Sequence, residues 1–231
     1  MKKTFLVVLG AAAMCSAMSM PAMSHEKGDW ILRVGTATVD PSESSSTIST
    51  AATGALAGTS AGLDSDTQLG LNIAYMVTDS IGVELLAATP FSHSITAKGI
   101  NQYLPVGESF NFGDTKHLPP TLSVQYYFGQ KNSALRPYVG VGINYTIFFQ
   151  ESLSSYSKAN LGASNLELDD SMGLAAQAGV DYMLNDKWLI NASVWHMDID
   201  TEATFDSALG KGSVDVDIDP WAYMLSVGYK F

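Results

Sequence analysis

The sequence predicts an all-β fold, an eight-stranded antiparallel transmembrane β-barrel with short periplasmic turns and long external loops. Eight segments alternate between bulky apolar residues and small or polar ones, which is typical of strands between lipid and a lumen. Hydrophobic residues make up 46% of the chain and charged residues only 15%. Yet no segment after residue 24 holds the about 18 consecutive apolar residues that indicate a membrane helix. Because lipid-exposed backbone must satisfy its own hydrogen bonds, these observations favour a closed barrel.

The first 24 residues have the pattern of a secretory signal peptide. Met1-Lys2-Lys3 is a short basic segment, the stretch from Phe5 to Ala13 carries no charge, and Ala22-Met23-Ser24 offers a small-residue cleavage site. The apolar run is shorter than the about 20 residues that a membrane helix needs. We therefore expect residues 1–24 to be removed and residues 25–231 to form a single barrel domain. The chain's one cysteine leaves with the predicted signal, so no disulfide is expected.

Alternation assigns the eight strands in chain order. The positions expected to face lipid are Trp30, Leu32 and Val34; Leu69, Leu71, Ile73, Tyr75 and Val77; Val83, Leu85 and Ala87; Leu122, Val124, Tyr126 and Phe128; Val139, Val141, Ile143, Tyr145 and Ile147; Met172, Leu174, Ala176, Ala178, Val180 and Tyr182; Trp188, Ile190, Ala192 and Val194; and Trp221, Tyr223, Leu225, Val227, Tyr229 and Phe231. The residues between them are expected to face the lumen. No outward mid-strand position carries a charge, as expected where Lys or Arg costs about 2–4 kcal/mol.

The connections between these strands predict the orientation of the barrel. Thr78-Asp79-Ser80, Gly129 to Leu135 and Leu184 to Lys187 are short, whereas residues 41–65, about 96–117 and about 151–167 are long and polar. Outer-membrane barrels have short periplasmic turns and long external loops, so both termini are expected on the periplasmic side. Aromatic residues gather at membrane interfaces. The predicted membrane-interface aromatics are Trp30, Tyr75, Tyr126, Phe128, Tyr182, Trp188, Trp221, Tyr229 and Phe231.

Several motifs of the chain resemble the OmpW family of outer-membrane proteins. These motifs are Gly82 to Phe91, His117 to Thr121, Arg136 to Gly140, the segment from Val194-Trp195 to Asp198-Ile199-Asp200, and Asp219-Pro220-Trp221. The resemblance covers the chain after residue 24 except its long loops. It implies an eight-stranded barrel with a narrow, apolar lumen that passes small hydrophobic molecules and releases them laterally into the membrane. It also implies links to stress tolerance and to recognition of the external loops by toxins or phage.

Five charged residues are predicted on the lumen face near the periplasmic end: Arg33, Glu84, Arg136, Asp181 and Lys230. Opposite charges inside a narrow barrel are expected to pair. We interpret the five as a polar plug at the periplasmic end. The alternative is that they line a water-filled channel.

Higher in the lumen, the predicted inward positions become apolar or small: Leu86, Trp195, Ala88 and Met197. The lumen of a water-filled porin is polar, so these residues predict a hydrophobic constriction. The family resemblance also implies one at Leu86 and Trp195. The alternative is that both side chains only fill a lumen that has little spare space in an eight-stranded barrel. Pro119-Pro120 lacks N–H donors and is expected to weaken strand pairing nearby, which favours lateral release.

The sequence therefore predicts a channel-like protein of the outer membrane of a Gram-negative bacterium that admits small hydrophobic molecules. A structural or surface-recognition barrel without lumen transport is the alternative, and a lipid-modifying enzyme is a weaker one, since no catalytic residues are identified. Expected partners are outer-membrane lipids and lipopolysaccharide, small hydrophobic solutes, and the barrel assembly machinery, which reads the C-terminal strand. A formal net charge of −11 argues against nucleic acid.

No cofactor or metal site is expected. His93, His117 and His196 lack the spacing of metal ligands on one element. All three are expected to lie exposed at or above the outer rim of the barrel.

Overall fold

The computed structural model of the protein describes residues 25–130 and 132–231, and the predicted signal peptide lies outside the described residues. The elements in chain order are β1 (Trp30–Asp40), β2 (Ser44–Ser45), β3 (Ser49–Thr50), β4 (Gly54–Ala55), β5 (Ser60–Leu63), β6 (Asp66–Met76), β7 (Ile81–Ala88), β8 (Phe91–Lys98), a short 3₁₀ helix (Ile100–Gln102), β9 (Ser109–Leu118), β10 (Thr121–Tyr127), β11 (Leu135–Leu153), α1 (Ser155–Leu161), β12 (Ser164–Leu168), β13 (Ser171–Met183), β14 (Trp188–Met197), β15 (Asp200–Ser207), β16 (Gly210–Asp217) and β17 (Trp221–Lys230).

Eight of these strands close into an antiparallel barrel, which confirms the predicted fold class. Their order around the wall is β1, β6, β7, β10, β11, β13, β14 and β17, and β17 pairs with β1 again. The closing pair runs in register from Ile31 opposite Lys230 to Asp40 opposite Trp221. Every strand of the wall therefore has two neighbours, and the barrel has no open edge to leave backbone groups unpaired in lipid.

The predicted faces of the strands match the observed burial. Outward residues at mid-height are widely exposed, as at Val141 (69%), Leu174 (70%) and Met172 (73%). Inward residues of the same strands, such as Asn144 and Gln177, are buried. The outward band is apolar because it contacts lipid, and side chains occupy the interior because an eight-stranded barrel is narrow.

The short turns at the periplasmic end are fixed by local side-chain hydrogen bonds. In the turn between β6 and β7, the Thr78 hydroxyl accepts hydrogen bonds from the backbone N–H groups of Ser80 and Ile81. In the turn between β13 and β14, the Asn185 side chain accepts from the N–H groups of Lys187 and Trp188. Such polar side chains stabilise tight turns by replacing missing backbone partners.

The predicted external loops contain regular β-structure rather than irregular chain. Strands β5, β8 and β9 pair with one another and with the upper part of β11, which is 19 residues long. A second sheet contains β12, β15, β16, β3 and β4. The barrel wall therefore continues outward into two external sheets that enclose their own interior. Within residues 25–130 and 132–231, no helix is long and apolar enough to cross a membrane.

One interface of the wall is interrupted where the barrel meets these sheets. Strand β7 pairs with β10 up to Leu86 opposite Thr121, and pairing resumes between β8 and β9 with Phe91 opposite His117. Residues 87–90 and 118–120, all described by the structure, lie between these two pairs. They include Pro90 and Pro119-Pro120, which cannot donate backbone hydrogen bonds. The sequence predicted weakened pairing at Pro119-Pro120 only. In the structure Pro90 lies opposite these prolines, in the break between β7 and β8.

Candidate functional site: the barrel lumen

The periplasmic half of the lumen contains a buried ionic network centred on Arg33. Its guanidinium contacts Asp181 through Nε at 3.1 Å and Nη2 at 2.5 Å, and Nη1 lies 3.0 Å from Glu84 Oε2. Nη2 also donates to the Tyr127 hydroxyl at 2.9 Å, and Nη1 to Asn72 at 3.4 Å. All five side chains are fully buried. One cation thus faces two carboxylates, and surrounding hydrogen bonds compensate the cost of removing these charges from water.

The carboxylate of Asp181 has two further partners. His25 Nε2 lies 2.6 Å from Asp181 Oδ2, and Asn191 Nδ2 donates to Oδ1 at 2.8 Å. Asn191 also donates to the Tyr138 hydroxyl at 3.0 Å. His25 precedes β1, so the segment before the first strand folds back under the barrel and contributes a side chain to the lumen.

Within the predicted plug, Arg33, Glu84 and Asp181 meet through direct ion pairs. Arg136 is buried beside them, with its guanidinium carbon 5.7 Å from the centroid of the Tyr127 ring. The grouping of all five residues as a plug stays a prediction. Arg136 donates to the backbone carbonyl of Asp79 at 2.9 Å, in the neighbouring periplasmic turn. Lys230 Nζ lies 3.4 Å from Asp29 Oδ2 at the rim.

Alternation alone identified most of the uncharged members of the network. Asn72, Tyr127 and Asn191 occupy inward positions of their strands, and Tyr138 has the same parity as Arg136 on β11. His25 lies before the first strand, so no periodic signal marks it.

Amide side chains separate the ionic network from the apolar part of the lumen. The Tyr127 hydroxyl donates to Gln125 Oε1 at 2.7 Å, and Gln125 Nε2 donates to Gln177 Oε1 at 3.2 Å. Gln177 lies opposite Trp195 in the pairing of β13 with β14. From the periplasmic end outward, the side chains that line the lumen thus change from charged, to amide, to apolar within a few residues along the barrel axis.

The four residues of the predicted constriction lie in one apolar cluster. Trp195 and Met197 are 1% exposed, Leu86 is 7% exposed, and the half-buried Ala88 packs against the same cluster. The sulfur of Met197 lies 3.7 Å from Asn144 Nδ2 and 4.0 Å from the Thr121 hydroxyl. Because Leu86 opposite Thr121 is the last pair between β7 and β10, this group of four residues lies directly beside the interrupted wall.

The apolar cluster continues from the constriction into the interior of the external sheets. Phe112 and Phe205 meet there with ring centroids 4.9 Å apart. Two cavities remain beside these rings, one of about 30 Å³ that Ile95 also lines and one of about 80 Å³ that Leu161 also lines. Both are smaller than the about 150 Å³ of a cavity that accommodates benzene, so side chains fill most of this interior.

Two of the three histidines are not where the sequence placed them. His93 and His117 are buried, with ring centroids 4.8 Å apart and an interplanar angle of 14°, so the prediction of exposed rim histidines is wrong for both. His117 also stacks on Phe91 at 5.4 Å. Burial, together with the neighbouring His93, lowers the pKa of His117 to about 3. His196 is partly exposed against Trp221.

Comparison with known proteins agrees with this architecture. The sequence model of the OmpW family matches residues 26–231. The chain belongs to the OmpW family. It is 48% identical to outer membrane protein W of Vibrio cholerae serotype O1 over all 231 residues of both chains. It is 45% identical to outer membrane protein W of Escherichia coli K12, with 97% of this chain and 99% of that protein covered.

A solved structure resembles the whole barrel. The crystal structure of the outer membrane protein OprG from Pseudomonas aeruginosa superposes with a TM-score of 0.85 at 50% sequence identity, covering 90% of this chain and 98% of that one. This OmpW-family chain is therefore a protein of the Gram-negative outer membrane, and its apolar band contacts the lipid bilayer.

The aromatic residues predicted at the membrane interface lie outward, and several of them contact one another. Ring centroids of Trp30 and Tyr75 are 4.9 Å apart, and those of Trp188 and Tyr229 are also 4.9 Å apart. The assignment of the aromatics to the two membrane interfaces stays a prediction.

Among the described residues, no group of three or more His, Cys, Asp or Glu side chains is arranged to hold a metal ion.

Proposed function

We propose that this protein admits small hydrophobic molecules from outside into the apolar half of its lumen and releases them sideways into the outer membrane. The observation that carries the proposal is the position of the constriction. Leu86, Trp195 and Met197 lie above a buried ionic network and beside the interrupted interface of the wall. An apolar solute that reaches this level meets charged groups below it and a weakly paired wall at its side.

The energetics of this route suit capture followed by release. A solute that buries about eight methylene groups gains roughly 6 kcal/mol before the entropy of binding is subtracted. Passage through the network of Arg33, Asp181 and Glu84 would require breaking ion pairs between buried groups, each of which is costly. We therefore propose that this network, with Arg136 and Lys230 near it, acts as the plug.

The interrupted wall supports release into the membrane rather than into the periplasm. Backbone pairing ends at Leu86 opposite Thr121 and resumes only at Phe91 opposite His117, so the residues between these two pairs form no ladder across this interface. Fewer backbone hydrogen bonds must therefore break for β7 and β8 to separate from β9 and β10 here than elsewhere in the wall.

The constriction is tested by Leu86→Asp, alone and with Trp195→Ala, in purified protein reconstituted in lipid vesicles. We expect uptake of a fluorescent hydrophobic probe to fall about tenfold or more, because a carboxylate at this level removes apolar burial and adds a desolvation cost. Leu86→Met is the matched control and keeps the volume and polarity of the site. Equal probe uptake by folded Leu86→Asp and wild-type protein would falsify the proposed role of the constriction.

The lateral route is tested by the double substitution Pro119→Ala/Pro120→Ala. Two new N–H donors are available to extend pairing across the interrupted interface, so transfer of the probe into the surrounding lipid is expected to slow several-fold. The rate is measured by energy transfer from probe to labelled lipid. Pro137→Ala, at an uninterrupted position of β11, is the control. An unchanged transfer rate in the double variant would argue for another exit.

We propose transport rather than catalysis, and no cofactor is needed for it. The proposed partners besides the solute are lipopolysaccharide at the outer rim and the barrel assembly machinery, which would recognise β17 and the terminal Phe231. The outward face of β17 is aromatic or aliphatic from Trp221 to Phe231, the pattern expected of a strand that inserts into lipid.

A further inference from the structure

Among the residues that the structure describes, three buried polar atoms in the apolar half of the lumen have no hydrogen-bond partner. They are His93 Nε2, His117 Nδ1 and Trp195 Nε1, and their residues are 2%, 5% and 1% exposed. Buried donors and acceptors are normally paired, and each unpaired one costs about 1–3 kcal/mol. These atoms therefore need a partner that a hydrocarbon cannot supply.

The upper of these positions offers a hydrogen-bond acceptor. His93 Nδ1 lies 2.5 Å from the backbone carbonyl oxygen of Asp64. A carbonyl only accepts, so the ring proton of neutral His93 is on Nδ1 and its Nε2 carries a lone pair. His93 shares the inward face of β8 with Phe91 and Ile95, which belong to the apolar cluster. The acceptor Nε2 is thus buried above the constriction, on a ring that stacks on His117 at 4.8 Å and whose other nitrogen, Nδ1, lies 3.9 Å from the Asp64 carboxylate.

The lower position offers only a donor. The indole Nε1–H of Trp195 cannot accept a hydrogen bond. Trp195 lies on the inward face of β14 with Met197, within the constriction. The backbone register places it opposite Gln177 on one side and Ala222 on the other.

The two positions together favour a neutral group that both donates and accepts hydrogen bonds, and a hydroxyl is the smallest such group. An alkane pairs with neither atom, and a ketone or an ester accepts from Trp195 but donates nothing to His93. An ammonium donates to His93 but accepts nothing from Trp195, and an ionised carboxylate carries a charge that is costly to desolvate in this cluster. A hydroxyl group is neutral, donates one hydrogen bond and accepts others.

We propose that the solutes of this lumen are neutral hydroxyl-bearing amphiphiles, namely medium-chain alcohols and phenols, whose hydroxyl pairs first with His93 Nε2 and then with Trp195 Nε1. This inference rests on the proposed function and specifies its substrate class. Apolar contacts hold the chain of the solute, and the two polar atoms distinguish an alcohol from an alkane of equal length. A site built to pair a hydroxyl discriminates against analogues that lack it, because its own groups then stay unpaired.

The experiment compares 1-octanol with octane on the full-length mature protein in lipid nanodiscs. The dissociation constant of each probe is measured by titration, corrected for partition into empty nanodiscs. In His93→Phe, which keeps an aromatic ring in the stack, the preference for 1-octanol over octane is expected to fall about five- to tenfold. Trp195→Phe is the second variant and has the same expected result. Ser92→Ala, on the outward side of β8, is the control, for which we expect the wild-type preference.

A direct signature accompanies this binding. The indole N–H resonance of Trp195, assigned by its loss in Trp195→Phe, is expected to move downfield with 1-octanol and not with octane. If wild-type protein binds octane as tightly as 1-octanol, the hydroxyl inference is overturned while hydrophobic uptake stands. If neither probe binds, the proposed function fails as well. An unchanged preference in both variants would mean that water partners these atoms, and would also overturn the inference.

Discussion

Replacement of Arg33 by Met is expected to lower the free energy of unfolding by about 3–5 kcal/mol. The substitution keeps a long apolar stem but removes the cation that faces Asp181 and Glu84. Both carboxylates are fully buried and would remain in the lumen without a compensating charge. Breaking one side of a buried ion pair is among the most destabilising single changes in proteins because the remaining charge is not solvated.

A combined variant separates this electrostatic cause from loss of packing. Arg33→Met/Glu84→Gln/Asp181→Asn removes all three charges and replaces each carboxylate by an amide of nearly the same size. We expect it to be more stable than Arg33→Met alone, since no uncompensated carboxylate remains. Unfolding by urea in lipid vesicles, followed by tryptophan fluorescence, measures both variants. A triple variant less stable than the single one would show that packing, not charge compensation, dominates at this level.

The meeting of Arg33, Glu84 and Asp181 could be predicted from the alternation of their strands, because a closed barrel leaves each inward side chain little choice of position. Each inward position is fixed by parity, and its height follows from its distance to the nearest turn. Arg33, Glu84 and Asp181 therefore met as expected. Lys230 has the same parity, but it is the last residue of β17 and its side chain reaches Asp29 at the rim. Parity gives the face of a side chain, and it does not give the direction in which a long side chain extends.

The external part of the fold was harder to predict, although a signal was present. Phe91, His93, Ile95 and Ala97 alternate with Ser92, Ser94, Thr96 and Lys98 inside a stretch that also reads as a polar loop. The same alternation that marks membrane strands thus marks β8 and places His93 inward. The pattern is hard to recognise because the outward residues of β8 are polar, as expected for a face that contacts water rather than lipid.

The position of His25 could not be derived from any periodic pattern. It reaches Asp181 across 156 residues of sequence, from a segment with no strand of its own.

The interruption of the wall could be predicted from the sequence only in part. Pro119-Pro120 was visible in the sequence, but its position opposite the Thr89-Pro90 break depends on the register between β7 and β10.

A disulfide that ties the external connections together is expected to abolish nearly all uptake of a hydrophobic probe. The interior of the external sheets retains cavities of about 30 Å³ and about 80 Å³, smaller than the about 150 Å³ of a cavity that accommodates benzene, so an alkyl chain requires these strands to move apart. Ser49 of β3 lies opposite Ser213 of β16, which joins the first external connection to the last hairpin. Directly opposed residues of antiparallel strands have Cα separations that a disulfide can bridge.

The experiment compares oxidised and reduced Ser49→Cys/Ser213→Cys in lipid vesicles, in a chain whose native cysteine lies in the predicted signal peptide. Uptake is expected to return when the disulfide is reduced. The matched control, Thr204→Cys/Ser213→Cys, joins opposed residues within the single hairpin of β15 and β16, so its oxidation leaves the two connections free to separate. Equal uptake by the oxidised and reduced β3–β16 variant would mean that solutes reach Trp195 without separating these strands. They would then enter through the interrupted wall itself, which would serve for both access and release.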